Sequence, residues 1–350
     1  MNKVLFISFL FTALSLCPKY LCKKSSQHFT QNTCVAYLDG DYYVGKCEKG
    51  NCSPALGNQN STCNGESEQR ILTNYPGTKC KNSTECFSSF CYKEVCKGQE
   101  KGQNCQSNYD CDPGLYCNST YKCSDQSQKS CSNDFSCKNN YGCNYNTCVP
   151  YFSVQPGETL SSCPGSNKNI LCSSATCGIL NGQAMCIEAL QNVVESPYTC
   201  TAGSFCLSQT DARTGLQIIN DCVCGLSISG TAYCELLTGD KPSVQFFKSV
   251  KSWSESEAIH KCNTMERFEK SCLSSWWDED SYIKFQYYFL QYEYYPYVTN
   301  VESCVLSLYL PEFYESYKDY ISASDSDSSG SHSILFSPTL FSLMLLISTS

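Results

Sequence analysis

Most of the chain lacks the apolar periodicity of a helix or strand, and long apolar runs occur only near its two ends. Between residues 22 and 240 large aliphatic side chains are sparse, and segments rich in Gly, Asn, Asp and Pro separate the cysteines. Such segments predict turns, and the intervals between them suit only short strands. We therefore expect small units of short β-hairpins and loops with little regular structure.

The pattern changes in residues 241–321, where apolar side chains recur at mostly three- and four-residue steps, the period of a helix. The positions with this spacing are Phe247, Val250, Ala258, Cys262, Met265, Phe268 and Cys272, then Val301, Cys304, Val305 and Leu308. Pro311 should end the second series, because proline breaks a helix interior. We predict a small α-helical region of two or three helices, with Cys262, Cys272 and Cys304 tying them together or to the repeats.

Residues 282–298 of this region are dense in aromatic side chains. One interpretation is the packed core of a small helical bundle. The alternative is an exposed surface for interaction with another molecule. The sequence favours the core, because large aromatic residues are buried more often than not.

The N-terminus has the pattern of a secretory signal peptide. Lys3 precedes an apolar run in residues 4–16 that is too short to span a membrane. Ala13 and Ser15 are small enough for a cleavage site. We predict that residues 1–15 are removed after Ser15, which leaves an even number of cysteines.

The C-terminus, residues 322–350, combines a polar spacer with an apolar tail at residues 334–347. Small residues, a spacer and a hydrophobic end predict a glycosylphosphatidylinositol (GPI) anchor. A transmembrane helix is the alternative, but Pro338 interrupts the short tail and no basic residue follows it. The candidate attachment residues are Ser324, Ser326, Ser328, Ser329 and Gly330.

Thirty of the 350 residues are cysteines. In residues 77–150 they form three tandem four-cysteine repeats, whose first cysteines are 25 and 26 residues apart. Further cysteine-rich modules occupy residues 22–76 and 151–240. Four cysteines allow three pairings, and the spacing does not choose among them. The repeat cysteines that we expect in disulfides are Cys80, Cys86, Cys91 and Cys96, then Cys105, Cys111, Cys117 and Cys123, then Cys131, Cys137, Cys143 and Cys148.

The stretch GQNCQSNYDCDPGLYC, which begins at Gly102, resembles the N-terminal cysteine-rich domain of the Dickkopf proteins. Weaker copies lie at residues 77–96 and 130–148. The whole chain is similar to the cysteine-rich, often GPI-anchored surface proteins of ciliates and other protists. The resemblance implies disulfide-bonded extracellular binding modules. It does not carry over binding to a Wnt co-receptor, and the second, ten-cysteine Dickkopf domain has no counterpart here.

The net charge of −8 without a basic stripe argues against nucleic acid as a partner. His28, His260 and His332 are isolated, and no hydrolase, nucleotide-binding or zinc-protease motif is present. Zinc is disfavoured because a secreted chain oxidises its thiols. The pair Cys222 and Cys224 fits either a redox site or two neighbours bonded to different partners, and the latter is favoured. We expect no catalytic, cofactor or metal site.

Glycosylation sequons in polar spacers point to exposed loops. The three that we expect to be modified are Asn60, Asn82 and Asn118, whereas Cys52 occupies the middle of the sequon at Asn51. Together these features predict a non-enzymatic surface protein, GPI-anchored in the outer leaflet, that acts as a coat, adhesin or receptor. Its partners would be an extracellular ligand or neighbouring surface proteins. The alternatives are a freely secreted ligand or inhibitor and, third, a thiol–disulfide enzyme.

Overall fold

The computed structural model describes residues 17–24, 33–47, 51–52, 60–64, 74–163, 167–188, 198–210, 217–236, 239–295 and 297–327. The predicted fold class is confirmed. Short β-hairpins cross-linked by disulfides occupy the first two-thirds of the chain, and a small helical region follows.

The first sheet gathers five strands in the order β1-β3-β2-β5-β4. They are β1 (Tyr20–Cys22), β2 (Thr33–Leu38), β3 (Asp41–Val44), β4 (Asn51–Cys52) and β5 (Ser61–Asn64). Strand β1 pairs in parallel with β3, whereas β2 and β3 form an antiparallel hairpin. Buried side chains on β2 and β3, including Val35, Tyr42 and Val44, form its small core.

Four two-stranded hairpins follow along the chain. They are β6–β7 (Cys91–Tyr92, Val95–Cys96), β8–β9 (Leu115–Cys117, Cys123–Asp125), β10–β11 (Tyr141–Asn144, Thr147–Pro150) and β12–β13 (Cys177–Leu180, Gln183–Cys186). A short 3₁₀ turn precedes each hairpin, at Ser83–Glu85, Asn108–Asp110, Asp134–Ser136 and Asn167–Leu171. The unit with Cys163 is therefore a fourth repeat built like the other three.

The four repeats share a hydrogen bond that explains their polar residues. The residue three places before the second cysteine accepts the N–H of the third cysteine through its side chain. The pairs are Ser83 with Cys91 (3.1 Å), Asn108 with Cys117 (2.8 Å), Asp134 with Cys143 (2.6 Å) and Asn169 with Cys177 (3.2 Å). A small oxygen-bearing side chain at this position thus fixes the 3₁₀ turn against the hairpin.

A second four-stranded sheet precedes the helices, in the order β14-β17-β16-β15. Its strands are β14 (Thr199–Cys200), β15 (Phe205–Thr210), β16 (Gln217–Cys224) and β17 (Ala232–Cys234). All strand pairs within this sheet are antiparallel.

The described residues of the helical region form five α-helices, more than the two or three expected. They are α1 (Lys241–Ser254), α2 (Lys270–Trp276), α3 (Glu279–Tyr294), α4 (Ser303–Tyr309) and α5 (Pro311–Asp327). The series from Phe247 to Cys272 is interrupted by a 3₁₀ turn at Glu257–Lys261 and by irregular residues. Pro311 ends α4 and also begins α5, since proline is tolerated in a first helical turn.

The aromatic segment contributes to a core, as favoured from the sequence. Phe285 of α3 is buried in a cluster with Val250, Trp253 and Leu273. On the opposite side of α3, Tyr287 stacks on Tyr320 of α5 with ring centroids 4.2 Å apart. Packing of α3 against α1 and α5 therefore buries Phe285 and leaves most of the other rings of the segment half-buried.

Candidate functional site

Disulfide bonds cross-link the cysteine-rich units along the chain. All 30 cysteines are paired in 15 bonds, and no cysteine is free. In each four-cysteine unit the first cysteine bonds the third and the second bonds the fourth. The bonds are Cys34–Cys52 and Cys47–Cys63, Cys80–Cys91 and Cys86–Cys96, Cys105–Cys117 and Cys111–Cys123, Cys131–Cys143 and Cys137–Cys148, Cys163–Cys177 and Cys172–Cys186, and Cys200–Cys222 and Cys206–Cys234.

This crossed pairing places two disulfides side by side as the core of each repeat. In the second repeat Cys105, Cys111 and Cys123 are buried against one another, with only Leu115 as an added aliphatic side chain. Each bond closes a loop of about 10 to 15 residues, which in the chain-entropy model contributes about 3 kcal/mol. The cross-links thus replace the apolar core that such short units lack.

Two further bonds join distant parts of the chain. Cys17 bonds Cys224 of the second sheet, and Cys22 of β1 bonds Cys304 of α4, with sequence separations of 207 and 282 residues. The Cys222–Cys224 pair therefore consists of two neighbours with different partners, Cys200 and Cys17. Both sulfurs are oxidised, so neither provides a thiolate in this state.

Groups of three cysteine sulfurs within 4.8 Å of one another occur in five units. Each group belongs to the crossed disulfides, and an oxidised sulfur is a poor metal ligand because metals bind the thiolate. His260 lies in the 3₁₀ turn Glu257–Lys261, where burial lowers the pKa of its imidazole. No carboxylate–histidine–nucleophile arrangement is formed by the described contacts of His260.

A segment of the helical region, residues 256–277, connects the repeats and is called the junction segment here. It begins like a repeat, because Ser256 caps its 3₁₀ turn by accepting the N–H of Ala258. Cys262 then bonds Cys272 over ten residues, the same separation as between the second and fourth cysteines of the first repeat. Asn82 caps the turn of the first repeat in the same way, but it lies four positions before Cys86 whereas Ser256 lies six before Cys262, so no shared spacing marks the relationship in the sequence.

Buried asparagines fix the junction segment to the repeats. Asn139 of the third repeat donates to the carbonyls of Ile259 and Cys262, both at 2.8 Å. In the reverse sense, Asn263 donates to the carbonyls of Asn108 and Cys111 in the second repeat, also at 2.8 Å. Both asparagines are fully buried. Each amide therefore donates to two carbonyls at a 3₁₀ turn, one of which, that of Ile259 or Asn108, also accepts a backbone N–H within the turn.

The first repeat contacts the same segment through a glycine. Gly77 has a φ of 93°, and a Cβ at this position would lie 2.2 Å from the carbonyl oxygen of Lys261. Trp276 donates its indole N–H to the Gly77 carbonyl. Only glycine allows both the left-handed backbone and this close approach.

Exposed tyrosines occur at the hairpins of the three tandem repeats. Tyr92, Tyr121 and Tyr145 are 50%, 67% and 60% exposed. Tyr145 also donates its hydroxyl to the carbonyl of Leu160 at 2.7 Å, in the next repeat. Large exposed aromatic side chains are characteristic of contact surfaces.

The helical region contains an aromatic groove of about 670 Å³ between α1 and α3. Phe246 stacks on Tyr292 at 4.8 Å and lies 5.7 Å from Phe289 along its wall. These rings remain partly exposed. On this side of α3 the aromatic segment is therefore partly exposed and not fully packed into the core.

The three predicted glycosylation sites lie in different settings. Asn60 is exposed, and its side-chain oxygen accepts the N–H of Tyr37 at 2.9 Å. Asn82 is exposed and caps the 3₁₀ turn of the first repeat. Asn118 is half-buried, and its amide nitrogen donates to Ser124 Oγ at 2.7 Å. Asn82 is therefore more exposed than Asn118, although its amide nitrogen also donates to a side chain, Glu85 Oε1, at 3.0 Å.

Of the candidate anchor residues, Ser324 and Ser326 lie within α5, which continues to Asp327. Ser328, Ser329 and Gly330 lie outside the described residues, as do the apolar tail and the predicted signal peptide of residues 1–15. Along the described parts of the chain, none of the helices combines the length and apolarity that a membrane-spanning segment needs.

Comparisons with known proteins found no matching family model, no matching curated protein and no matching solved structure. The similarity of the repeats to the Dickkopf domain therefore stays a prediction from the sequence. What the molecule does must be argued from its own architecture, and extensive disulfides of this kind are typical of secreted and extracellular proteins.

Proposed function

We propose that this chain is a non-enzymatic protein of the cell surface that displays its cysteine repeats to an extracellular partner. The observation that carries the proposal is the complete pairing of 30 cysteines into modular, crossed disulfides. Such a framework suits an oxidising compartment and resists unfolding and proteolysis without a large core. It leaves the repeat surfaces free for contact.

Attachment to the membrane would use the apolar tail at residues 334–347 as a GPI signal. Within this proposal the helical setting of Ser324 and Ser326 favours Ser328, Ser329 or Gly330 as the attachment residue. Attachment inside α5 would require its last turns to unwind. The lipid would then follow the end of α5 directly.

The exposed tyrosines of the repeat hairpins support a binding role. Tyr92, Tyr121 and Tyr145 each present a large amphipathic ring, the side-chain type that dominates contact energies in many interfaces. The partner would be an extracellular ligand or a neighbouring surface protein. The chain's net charge of −8 makes nucleic acid an unsuitable partner.

The test is release of the full chain from intact cells by phosphatidylinositol-specific phospholipase C. We expect the enzyme to transfer the protein to the medium. The matched control carries Leu343→Asp and Leu346→Lys, which place charges in the apolar tail. Without phospholipase treatment, that variant should be secreted into the medium or be retained inside the cells. Its disulfides should be unchanged.

A freely secreted ligand or inhibitor is the second candidate function, favoured by the same disulfide framework. It predicts that the parent chain accumulates in the medium without phospholipase treatment. If the parent chain behaves in this way, and the tail variant behaves identically, the anchor proposal is wrong. Surface retention that resists the phospholipase in both chains would also contradict it.

A further inference from the structure

A cavity of about 280 Å³, partly open to solvent, lies between the third repeat, the 3₁₀ turn of the fourth repeat and the junction segment. Aromatic side chains line it, among them Phe135, Tyr151 and Phe268. Its volume is close to the lower end of the range for small-molecule sites, about 300–1,000 Å³. The cavity adjoins the aromatic groove, with which it shares Ile170, Phe268 and Glu269, and it does not include the exposed tyrosines of the hairpins.

A buried cation lines this cavity. Arg267 is 8% exposed, and its Nη1 donates to Thr264 Oγ1 at 3.1 Å. Its guanidinium carbon lies 5.9 to 6.0 Å from the ring centroids of Phe135, Tyr151 and Phe268. Among the described ion pairs, none involves Arg267.

A buried guanidinium is costly unless hydrogen bonds and opposite charge compensate for lost water. Ring faces offset part of this cost. Arg267 nevertheless has five N–H donors, and one side-chain hydrogen bond uses only part of that capacity. The remaining donors are suited to a ligand oxygen that reaches the cavity.

A second, independent feature is the hydroxyl of Tyr151. Tyr151 is 8% exposed, and its Oη has no hydrogen-bond partner among the described residues. Burial is the main cause that raises the pKa of Tyr151, while the nearby Arg267 lowers it to a smaller extent. The hydroxyl therefore stays protonated at neutral pH and can donate a hydrogen bond to a ligand.

Carboxylates also line the cavity. Asp134 Oδ1 accepts the N–H of Cys143 at 2.6 Å. Glu269 is exposed at the edge of the cavity. These two groups would repel a ligand that carries only negative charge. They would attract a ligand that adds an ammonium group to its carboxylate.

We propose that this cavity binds a small zwitterion of the α-amino-acid class. Its carboxylate accepts hydrogen bonds from Arg267 and Tyr151, and its ammonium group faces Asp134 and Glu269. The ring walls favour an aromatic or large apolar side chain. Binding of this ligand depends neither on where the chain is anchored nor on what the repeat hairpins contact.

The experiment is isothermal titration calorimetry on the disulfide-intact secreted chain with three probes that share one ring. Phenylalanine carries both charges, phenylacetate only the carboxylate, and phenethylamine only the ammonium group. We expect phenylalanine to bind at least about tenfold more tightly than either single-charge probe, which corresponds to about 1.4 kcal/mol.

Two variants and a control locate the binding. Arg267→Met should weaken phenylalanine binding at least about tenfold, and Tyr151→Phe should weaken it several-fold with the ring wall kept. Lys129→Met, an exposed cation of the same repeat, should have no effect. Peptide mapping of disulfides and circular dichroism show whether each variant keeps the native fold. Tyr151→Phe tests the site even if Arg267→Met does not fold.

The proposal is overturned if phenylalanine does not bind at millimolar concentration. Equal affinity for phenylacetate would exclude the zwitterion. Binding that survives unchanged in folded Tyr151→Phe and Arg267→Met chains would place it elsewhere on the molecule.

Discussion

Cys22 and Cys304 are bonded across 282 residues of sequence, and this single disulfide fastens strand β1 to helix α4. A hydrogen bond reinforces this link between β1 and α4, since the N–H of Cys22 donates to the carboxylate of Glu302 at 3.2 Å. Tyr20 packs edge-on against Tyr309 at 5.6 Å beside it. The first described strand and helix α4 near the C-terminal end of the described chain are thus held as one unit, although the repeats between them are modular.

Replacing both cysteines, Cys22→Ser with Cys304→Ser, should weaken the attachment of β1 to α4. Loss of a native disulfide typically costs about 2–4 kcal/mol of stability. Hydrogen exchange should rise in β1 and α4, whereas the second repeat keeps the protection of its own two disulfides. Equal exchange in the variant and the parent chain would show that the packing of Tyr20 and Tyr309 suffices.

The pairing within repeats is directly testable. Non-reducing peptide mapping after cleavage between the cysteines should find Cys105 linked to Cys117, and Cys111 linked to Cys123. Nested or sequential pairing would contradict the crossed disulfides of the repeats. Peptides that link different repeats would contradict the modular architecture.

Much of this architecture follows from the sequence. Regular cysteine spacing and polar spacers predicted the hairpin units, and the helical period predicted the change after residue 240. The pairing did not follow, because all three connectivities of four cysteines fit the same spacing. The folded backbone decides it. In the second repeat it places the Cα atoms of Cys105 and Cys117 5.9 Å apart and those of Cys111 and Cys123 5.7 Å apart, both within the usual range for a disulfide.

Long-range features were beyond local patterns for a physical reason. Nothing near Cys17 or Cys22 distinguishes a partner 207 or 282 residues away. The cavity of Arg267 likewise joins two segments that are far apart in sequence. From the sequence alone, a single arginine in a helical region is interpreted as a surface residue. Packing of the third repeat against it buries Arg267.

The buried amide of Asn139 should be important for docking of the third repeat. Asn139→Ala would leave the carbonyls of Ile259 and Cys262 without this donor, at a cost of about 1–3 kcal/mol. Chemical denaturation of the oxidised chain measures the loss. Asn104→Ala, at an exposed asparagine, is the control and should change stability little. A similar small effect at both positions would mean that water replaces the lost donor.

Glycosylation should follow the exposure of the three sequon asparagines. We expect Asn60 and Asn82, which are exposed, to be modified to high occupancy, and Asn118 to a lower one because it is half-buried as well as hydrogen-bonded to Ser124. Peptide mass analysis after glycosidase treatment detects modified Asn as Asp. Ser124→Ala should raise occupancy at Asn118 alone. Unmodified peptides at all three sites would argue that the chain bypasses the glycosylation machinery.

Glu266 should make stability depend on pH. Its side chain is 7% exposed, burial raises the pKa of its carboxyl above the ordinary 4.5, and Ser271 Oγ donates to it at 2.9 Å. Below the ordinary pKa the carboxyl is protonated in both folded and unfolded chains. As the pH rises, the unfolded chain ionises first, so stability falls until the pH exceeds the raised folded-state pKa.

Glu266→Gln keeps the acceptor for Ser271 and removes the ionisation. The variant should therefore match the parent chain near about pH 4 and be more stable than it near about pH 7. Denaturation midpoints of the oxidised proteins at both pH values measure this difference. Glu293→Gln, at an exposed position of α3, is the matched control and should shift neither midpoint. A variant that is less stable than the parent at neutral pH would mean that the ionised carboxylate of Glu266 is stabilised in the folded chain, contrary to the burial argument.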